Sequence, residues 1–459
     1  MEALAADALR WLLGAARDAE GGGLAWTTRP SDDEHNPMLY SGTAGVIPLL
    51  LEARRHFHDD RYGNAALRAA RSLAAAVPHW DNSSLHFGLT GMAVALRAVA
   101  DTLGDTAAGA AADRALDVVR SRFDGTRWGE LFELMGGNAG IALGALAAGD
   151  TELALLAAAP YLRTAEETRT GVHWEIRNGR EPRLHHISHG TLGIVYALTA
   201  VGRATGRADL VEMARAGAAD VVARDEAGPE GFLVPHSDPQ DRPELIERYS
   251  YGWCHGPAGD AQVFRLLRDV SGLGEVGHAP TPPGTHTRRT GQSPKYVQYE
   301  GLRPARREHA PNDAGTHPTS PRPLSGPEWA ALADRCWHTV THSGLPRRLR
   351  PGFWDNNGRC CGTAGVLALA CDRLVELPAQ DEGFAHVLVA DLAARATADA
   401  DGARWSNIEH RVTPSTLEPL TGWAMGNAGI ARELLRFVRV SRGEDPAYAF
   451  TWPDHPPAR

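Results

Sequence analysis

One short phrase recurs seven times along the 459 residues: Gly-x-x-Gly, followed at once by an apolar, Ala- and Leu-rich run. It reads SGTAGVIPLL at Gly42 and Gly45, FGLTGMAVAL at Gly88 and Gly91, and GGNAGIALGAL at Gly137 and Gly140. It returns as HGTLGIVYAL at Gly190 and Gly193 and as HGPAGDAQVF at Gly256 and Gly259. The last two are CGTAGVLALA at Gly362 and Gly365 and MGNAGIAREL at Gly426 and Gly429. A bare Gly-x-x-Gly is weak, but five of the seven read Gly-x-Ala-Gly and all seven open a helix-like segment. The first four begin at Gly42, Gly88, Gly137 and Gly190, so they lie 46, 49 and 53 residues apart, room for two helices and their loops.

Each unit therefore reads as a helical hairpin. Between the glycine turns lie second helices such as GNAALRAARSLAAAV and AADRALDVVRSRF, with their charges on one face. Strand signals are few; VHWEIRN at 172–178 and GFLVPH at 231–236 are the candidates. Seven hairpins that stack and close give an all-α fold, an α/α toroid or double barrel with seven inner and seven outer helices, spanning 1–459 as one domain. The glycine turns then gather at one end, at the N-termini of the inner helices. Glycine is expected there because the turns crowd one another and because it tolerates positive φ.

The spacing widens to 66 residues between Gly190 and Gly256 and to 106 between Gly256 and Gly362. Residues 275–327 are rich in Pro, Gly, Thr, Arg and His without a helical period, and read as an inserted lid or disordered loop. Arg288, Arg289, Lys295, Arg303, Arg306 and Arg307 would let it dock an acidic peptide segment; a solvated loop is the alternative.

A net charge of −9 without a basic stripe argues against nucleic-acid binding. The opening MEALAADALRWLLGAARDAEGGG reads as an amphipathic helix ending at Gly21, not as a secretory signal. No apolar run is long enough for a membrane span, so the cytoplasm is the expected compartment. Five cysteines in so long a chain are not a disulfide scaffold.

Three of those cysteines are in register with the repeat. Cys254 in WCHGPAG directly precedes the fifth glycine turn, and Cys360 and Cys361 in RCCGTAG precede the sixth. If these turns are neighbours, three sulfurs converge, and three thiolates with one open position suit a catalytic zinc ion. His255 is an alternative ligand. Cys336 and Cys371 lie within helical stretches and read as packing. His189 in HHISHGTLG precedes the fourth turn and faces the same end, where a histidine can exchange a proton; His185 and His186 are less well placed. Glu133, four residues before Gly137, could orient a proton donor.

With these motifs together, the chain resembles the lanthionine synthetase cyclases, the LanC family. The resemblance runs through all seven glycine turns and is most specific at WCHGPAG, RCCGTAG and ISHGTLG. The family's fold is a toroid of seven inner and seven outer helices. Its members add a peptide cysteine thiol to dehydroalanine or dehydrobutyrine and close a thioether ring. The resemblance puts the family's zinc ligands on Cys254, Cys360 and Cys361, one ion per chain. Where its Cys-His-Gly motif carries histidine this sequence has Cys361, as in cyclase domains with three-cysteine sites. The family's acid/base histidine falls on His189 and its aspartate on Glu133. The arginine that some members place four residues before the first zinc cysteine is Ser250 here. The resemblance implies a dehydrated precursor peptide as substrate and, since no kinase, lyase or dehydratase region is present, a separate dehydrating enzyme as partner.

Other readings are a protein that adds glutathione or another small thiol to a dehydroamino acid, and a non-catalytic scaffold of a peptide-modifying complex. A glycoside hydrolase on an α/α barrel would need two carboxylates about 5–9 Å apart. Acidic residues are scarce in the glycine turns.

Overall fold

The computed structural model describes residues 1–177, 179, 182–271, 324–377 and 382–453. Fourteen helices are present among them. Seven follow the glycine turns: α2 (Thr43–Phe57), α4 (Leu89–Leu103), α6 (Asn138–Ala147), α8 (Thr191–Thr205), α10 (Pro257–Ser271), α12 (Thr363–Glu376) and α14 (Asn427–Ser441). They are buried nearly all round, as helices of an inner ring must be. The others are α1 (Glu2–Gly14), α3 (Asp60–Ala76), α5 (Thr106–Ser121), α7 (Thr151–Thr164), α9 (Ala208–Val222), α11 (Gly326–His342) and α13 (Glu382–Arg395).

Each inner helix from α2 to α12 packs on the outer helix that follows it, and α14 packs on α1. Inner helices also touch in cyclic order, and α14 meets α2, so the ring is closed. Local chemistry starts the outer helices. Asp59, Asp105 and Asp150 accept the first-turn N–H groups of Arg61, Ala108 and Leu153, and Ser325 with Glu328 forms a capping box.

The reason for glycine at the inner-helix starts is contact alone. The first glycines of the motif have negative φ, for example −139° at Gly42 and −140° at Gly362, so the expected positive φ is not used. A Cβ on Gly429 would lie 1.9 Å from the Trp423 carbonyl oxygen and 2.9 Å from Arg359 Cβ. A Cβ on Gly259 would lie 1.9 Å from the Trp253 oxygen and 2.6 Å from Ile187 Cγ2. The same relation runs round the ring: each turn leans on the residue three before the first glycine of the previous turn, and Gly45 leans on Trp423 of the last. Gly429→Ala should therefore cost about 3 kcal/mol by overpacking. Gly14→Ala, with nothing within 4 Å, should be near neutral in the same denaturation series.

Most neighbouring turns are also joined by a belt of backbone hydrogen bonds between residues two before the first glycine. Tyr40 N–H donates to His86 O at 2.9 Å, Ser188 to Cys254 at 3.2 Å, Cys254 to Cys360 at 3.1 Å, Cys360 to Ala424 at 2.7 Å, and Ala424 to Tyr40 at 2.9 Å.

Several expectations change at the margins. α1 ends at Gly14, not Gly21. The chain then turns through Gly21 and Gly22, at φ 65° and 74°, to pair Arg17–Ala19 with Gly23–Ala25 and seat Leu24 and Trp26 in the core. Val172–His173 pairs with Glu166–Glu167, but residues 231–236 form no strand; pairing there begins at Ser237–Asp238, against Arg183–Leu184. Of the 275–327 stretch, 275–323 lies outside the described residues, and Gly326 and Pro327 belong to α11. No described helix is long and apolar enough to cross a membrane.

Candidate metal centre and its surroundings

Cys254, Cys360 and Cys361 stand side by side because their turns are neighbours in the belt. Their sulfurs all lie within 4.8 Å of one another, and among the described residues this is the group of side chains that could hold a metal ion. Cys254 Sγ is 3.1 Å and Cys360 Sγ 3.4 Å from Cys361 Sγ, contacts between thiols rather than disulfides. Sulfurs around a tetrahedral zinc ion, with bonds of about 2.3 Å, sit roughly 3.8 Å apart, so the set needs only small adjustment to close on an ion.

Electrostatics also favours a cation. Hydrogen bonds from Cys254 and Cys360 hold the Cys361 thiol well below the usual range. Contacts with Cys360 and Cys361, and then burial, push the Cys254 thiol well above it; at Cys360 the contact with Cys254 lowers the thiol, but Cys361 and burial outweigh it and the net shift is well upward. Negative charges this close repel one another, and a divalent ion would offset that repulsion. His255 is not within the cluster. Cys336 and Cys371 are fully buried in α11 and α12, and burial raises the Cys371 thiol to about 12.

Cys254 and Cys361 open onto a cavity of about 550 Å³ walled by Tyr249, Tyr251, Phe353 and Trp354. His189 and Glu133 line a second cavity of about 310 Å³, with Leu131, Ile176, Leu184 and Arg177. The sulfur cluster and the His189–Glu133 pair thus face adjoining cavities that share His236, Ile246 and His255 as a common wall.

Glu133 is fully buried, yet it is held by two backbone donors: Met135 N–H to Oε2 and Gly136 N–H to Oε1 at 3.0 Å. Its Oε2 lies 3.5 Å from His189 Nδ1. Burial lowers the affinity of His189 for its proton, but the Glu133 charge and hydrogen bond outweigh it, and the net shift is upward from 6.5. The His189 ring keeps 39% of its surface exposed, so it reaches the cavity. His255 stacks on His189 at 5.5 Å and lies 4.1 Å from His236. Burial drives His255 well below the usual histidine range and His236 to about 4, so both are neutral beside His189.

In the repeat, His189, His255 and Cys361 all occupy the position directly before the first glycine, whereas Cys254 and Cys360 lie one residue earlier. The wall role of His255 and the aromatic side of the larger cavity were not legible in the motifs. The repeat register was the available signal for His255.

The fold and site define a class: a closed α/α toroid with a three-sulfur cluster at the N-terminal end of its inner helices. The chain belongs to the lanthionine synthetase C-like protein family, whose profile matches residues 33–264, just over half its length. The solved structure of nisin cyclase covers 92% of this chain and 92% of its own, with a TM-score of 0.58 and 13% identity, a likeness of fold. An inactive variant of an alpha-1,6-mannanase of Salegentibacter sp. covers 58% of this chain and 80% of its own at 14% identity, with a TM-score of 0.36. The unsaturated glucuronyl hydrolase of Bacillus sp. GL1 covers 62% and 80% at 17% identity and 0.37, and neither value carries an argument about this chain. No curated protein matches the sequence.

Proposed function

We propose that this protein is a zinc-dependent lanthipeptide cyclase, adding cysteine thiols of a dehydrated precursor peptide to dehydroalanine or dehydrobutyrine. The observation that carries this reading is the convergence of three sulfurs within 4.8 Å at the edge of a cavity adjoining that of His189 and Glu133. Cys254, Cys360 and Cys361 would hold the ion. When bound, zinc supplies the positive charge that keeps a substrate thiol ionised at neutral pH.

The chain's own residues account for the remaining steps. The larger cavity, beside Cys254 and Cys361, receives the thiol-bearing part of the peptide; the smaller one receives the dehydro residue. The substrate sulfur forms a bond to the β-carbon while the C=C pair moves towards the α-carbon and its carbonyl. His189 faces Glu133 through Nδ1, which leaves Nε2 to deliver the proton to the α-carbon. The proton released when the thiol ionises passes to solvent and neutral His189 takes one back from it, so the net change is addition of S–H across the double bond. Glu133, pinned by two N–H groups, fixes the ring and stabilises its cation. Holding both peptide ends against one common wall supplies rate through proximity.

The proposed site comprises Cys254, Cys360 and Cys361 for metal and His189 and Glu133 for proton transfer. The protein would work in the cytoplasm after a separate dehydrating enzyme. The direct test is incubation with a peptide bearing a dehydroalanine and a free cysteine. Loss of the alkylatable thiol at unchanged mass is the expected result. An unreacted peptide alongside consumption of added glutathione would shift the assignment to small-thiol addition. No reaction with either, in zinc-loaded protein, would leave a scaffold.

A further inference from the structure

Three buried side chains in the same repeat position, each next to a residue of the cysteine-bearing or last turn, pack together, with His86 stacked on Trp423 at 5.5 Å. Trp253 precedes Cys254, Arg359 precedes Cys360, and Trp423 precedes Ala424, whose carbonyl accepts the Cys360 N–H at 2.7 Å. Trp253 and Trp423 meet edge to face at 5.8 Å. The Arg359 guanidinium lies 5.8 Å and 5.6 Å from their ring centres. All three are at most 2% exposed.

The segment after α14 folds back onto these side chains. Trp452 stacks on Trp423 at 4.4 Å with 11° between the planes. Tyr448 Oη donates to Glu433 Oε2 at 2.6 Å, and Glu433 Oε1 accepts from Arg359 Nε at 3.2 Å. One contact therefore ends on the residue before Ala424 and the other on the residue before Cys360.

The segment is held there by charges that need it. Arg436 Nε donates to Pro446 O at 3.1 Å, and Arg439 donates to Asp445 O and Ala447 O at 3.2 Å each. Arg432 donates to Phe450 O, and Glu52 accepts from Ala449 N–H at 2.7 Å. Arg432, Arg436 and Arg439 are at most 4% exposed and Glu52 is fully buried. Buried charges are tolerable only when paired, so the backbone of this segment completes their shells.

We infer that residues 444–453 are a built-in prop for the metal-binding turns, with Tyr448 and Trp452 as positioning residues for the sulfur cluster. The inference rests on the reading that the three cysteines bind a metal. Without the prop, Trp423 loses one of its stacked rings and Arg359 part of its anchor. The Cys360 and Cys254 backbones, linked to these turns through the belt, then lose their fixed spacing. Outer supports of metal sites typically contribute 10–100-fold in affinity.

The test uses the full chain. Trp452→Ala should weaken zinc binding by about 10–100-fold in chelator competition. It should also shift and weaken the sulfur-to-metal charge-transfer band of the cobalt(II)-substituted protein. Trp452→Phe, which keeps a stacking ring, should restore both, and Tyr448→Phe should show a smaller loss. Trp329→Ala is the control for general destabilisation. It removes an equally buried indole, stacked on Phe264 at 5.8 Å on outer helix α11, and should lower the melting temperature while leaving band and affinity unchanged. Wild-type zinc affinity in Trp452→Ala, or an equal loss in Trp329→Ala, would overturn the inference while leaving the metal reading intact. A wild type that takes up no zinc would overturn both.

Discussion

On the proposed reading, Cys361→Ala is expected to abolish zinc binding and with it the proposed cyclisation, while Cys361→His keeps a bound ion. The three sulfurs form one cluster within 4.8 Å, and no described histidine or carboxylate joins it. Alanine therefore leaves two ligands that no neighbour supplements. Sharing a total of about 10–16 kcal/mol among four ligands gives roughly 3 kcal/mol each, about two powers of ten in affinity. Histidine at 361 recreates the set more usual in the family, with one thiolate fewer. Three thiolates leave the centre at net −1 before substrate binds, which loosens its hold on a fourth sulfur; two leave it neutral. Cys361→His should thus hold near-stoichiometric zinc and turn over more slowly. Cys336→Ala, deep in α11, should keep wild-type zinc. Metal analysis after gel filtration is the measurement, and tight zinc in Cys361→Ala would refute the ligand assignment.

Replacing His189 with Asn should lower kcat by about 10²–10⁴, the usual contribution of a positioned acid, with zinc content unchanged. The pH dependence distinguishes this role from a structural one. Burial disfavours the imidazolium, but the Glu133 carboxylate at 3.5 Å more than compensates, so the His189 pKa stands above its ordinary 6.5. An acid is competent while protonated. The His189-dependent activity should therefore be full below that raised value and fall as pH rises through it. Glu133→Gln removes the charge and leaves one oxygen, enough for one of the two backbone donors, Met135 N–H or Gly136 N–H. Its falling limb should move to lower pH. A limb that stays in place in Glu133→Gln would remove Glu133 from the proton-transfer assignment.

Much of the architecture was legible because it repeats. Seven glycine turns with apolar runs behind them specify seven buried helices, and the one-sided charge of the segments between them specifies the outer partners. Periodicity could not locate the end of α1. The apolar, small-residue pattern runs on past Gly14, and only the packing of Leu24 and Trp26 into the core shows why the chain turns there. The motif's glycines were readable as crowded positions, but the crowding partner was not. The carbonyl that would stand 1.9 Å from an added methyl is there only once the chain has turned and its neighbour has packed against it, and this crowding makes positive φ unnecessary.

The same division holds for the site. By itself, the order of residues placed Cys254 and Cys360 two positions, and Cys361, His189 and His255 one position, before the first glycine of their turns, so all five gather at the same end of the repeat. Tertiary structure decided which of them meet. Ring closure makes the fifth and sixth turns neighbours through the Cys254–Cys360 hydrogen bond although 106 residues separate Gly256 from Gly362. It directs His255 to the wall between the two cavities, outside the sulfur cluster. It also brings Tyr448 and Trp452 towards turns that lie earlier in the chain. Such contacts depend on how far each hairpin rotates about the axis, a quantity set by packing between repeats and carried by no single repeat.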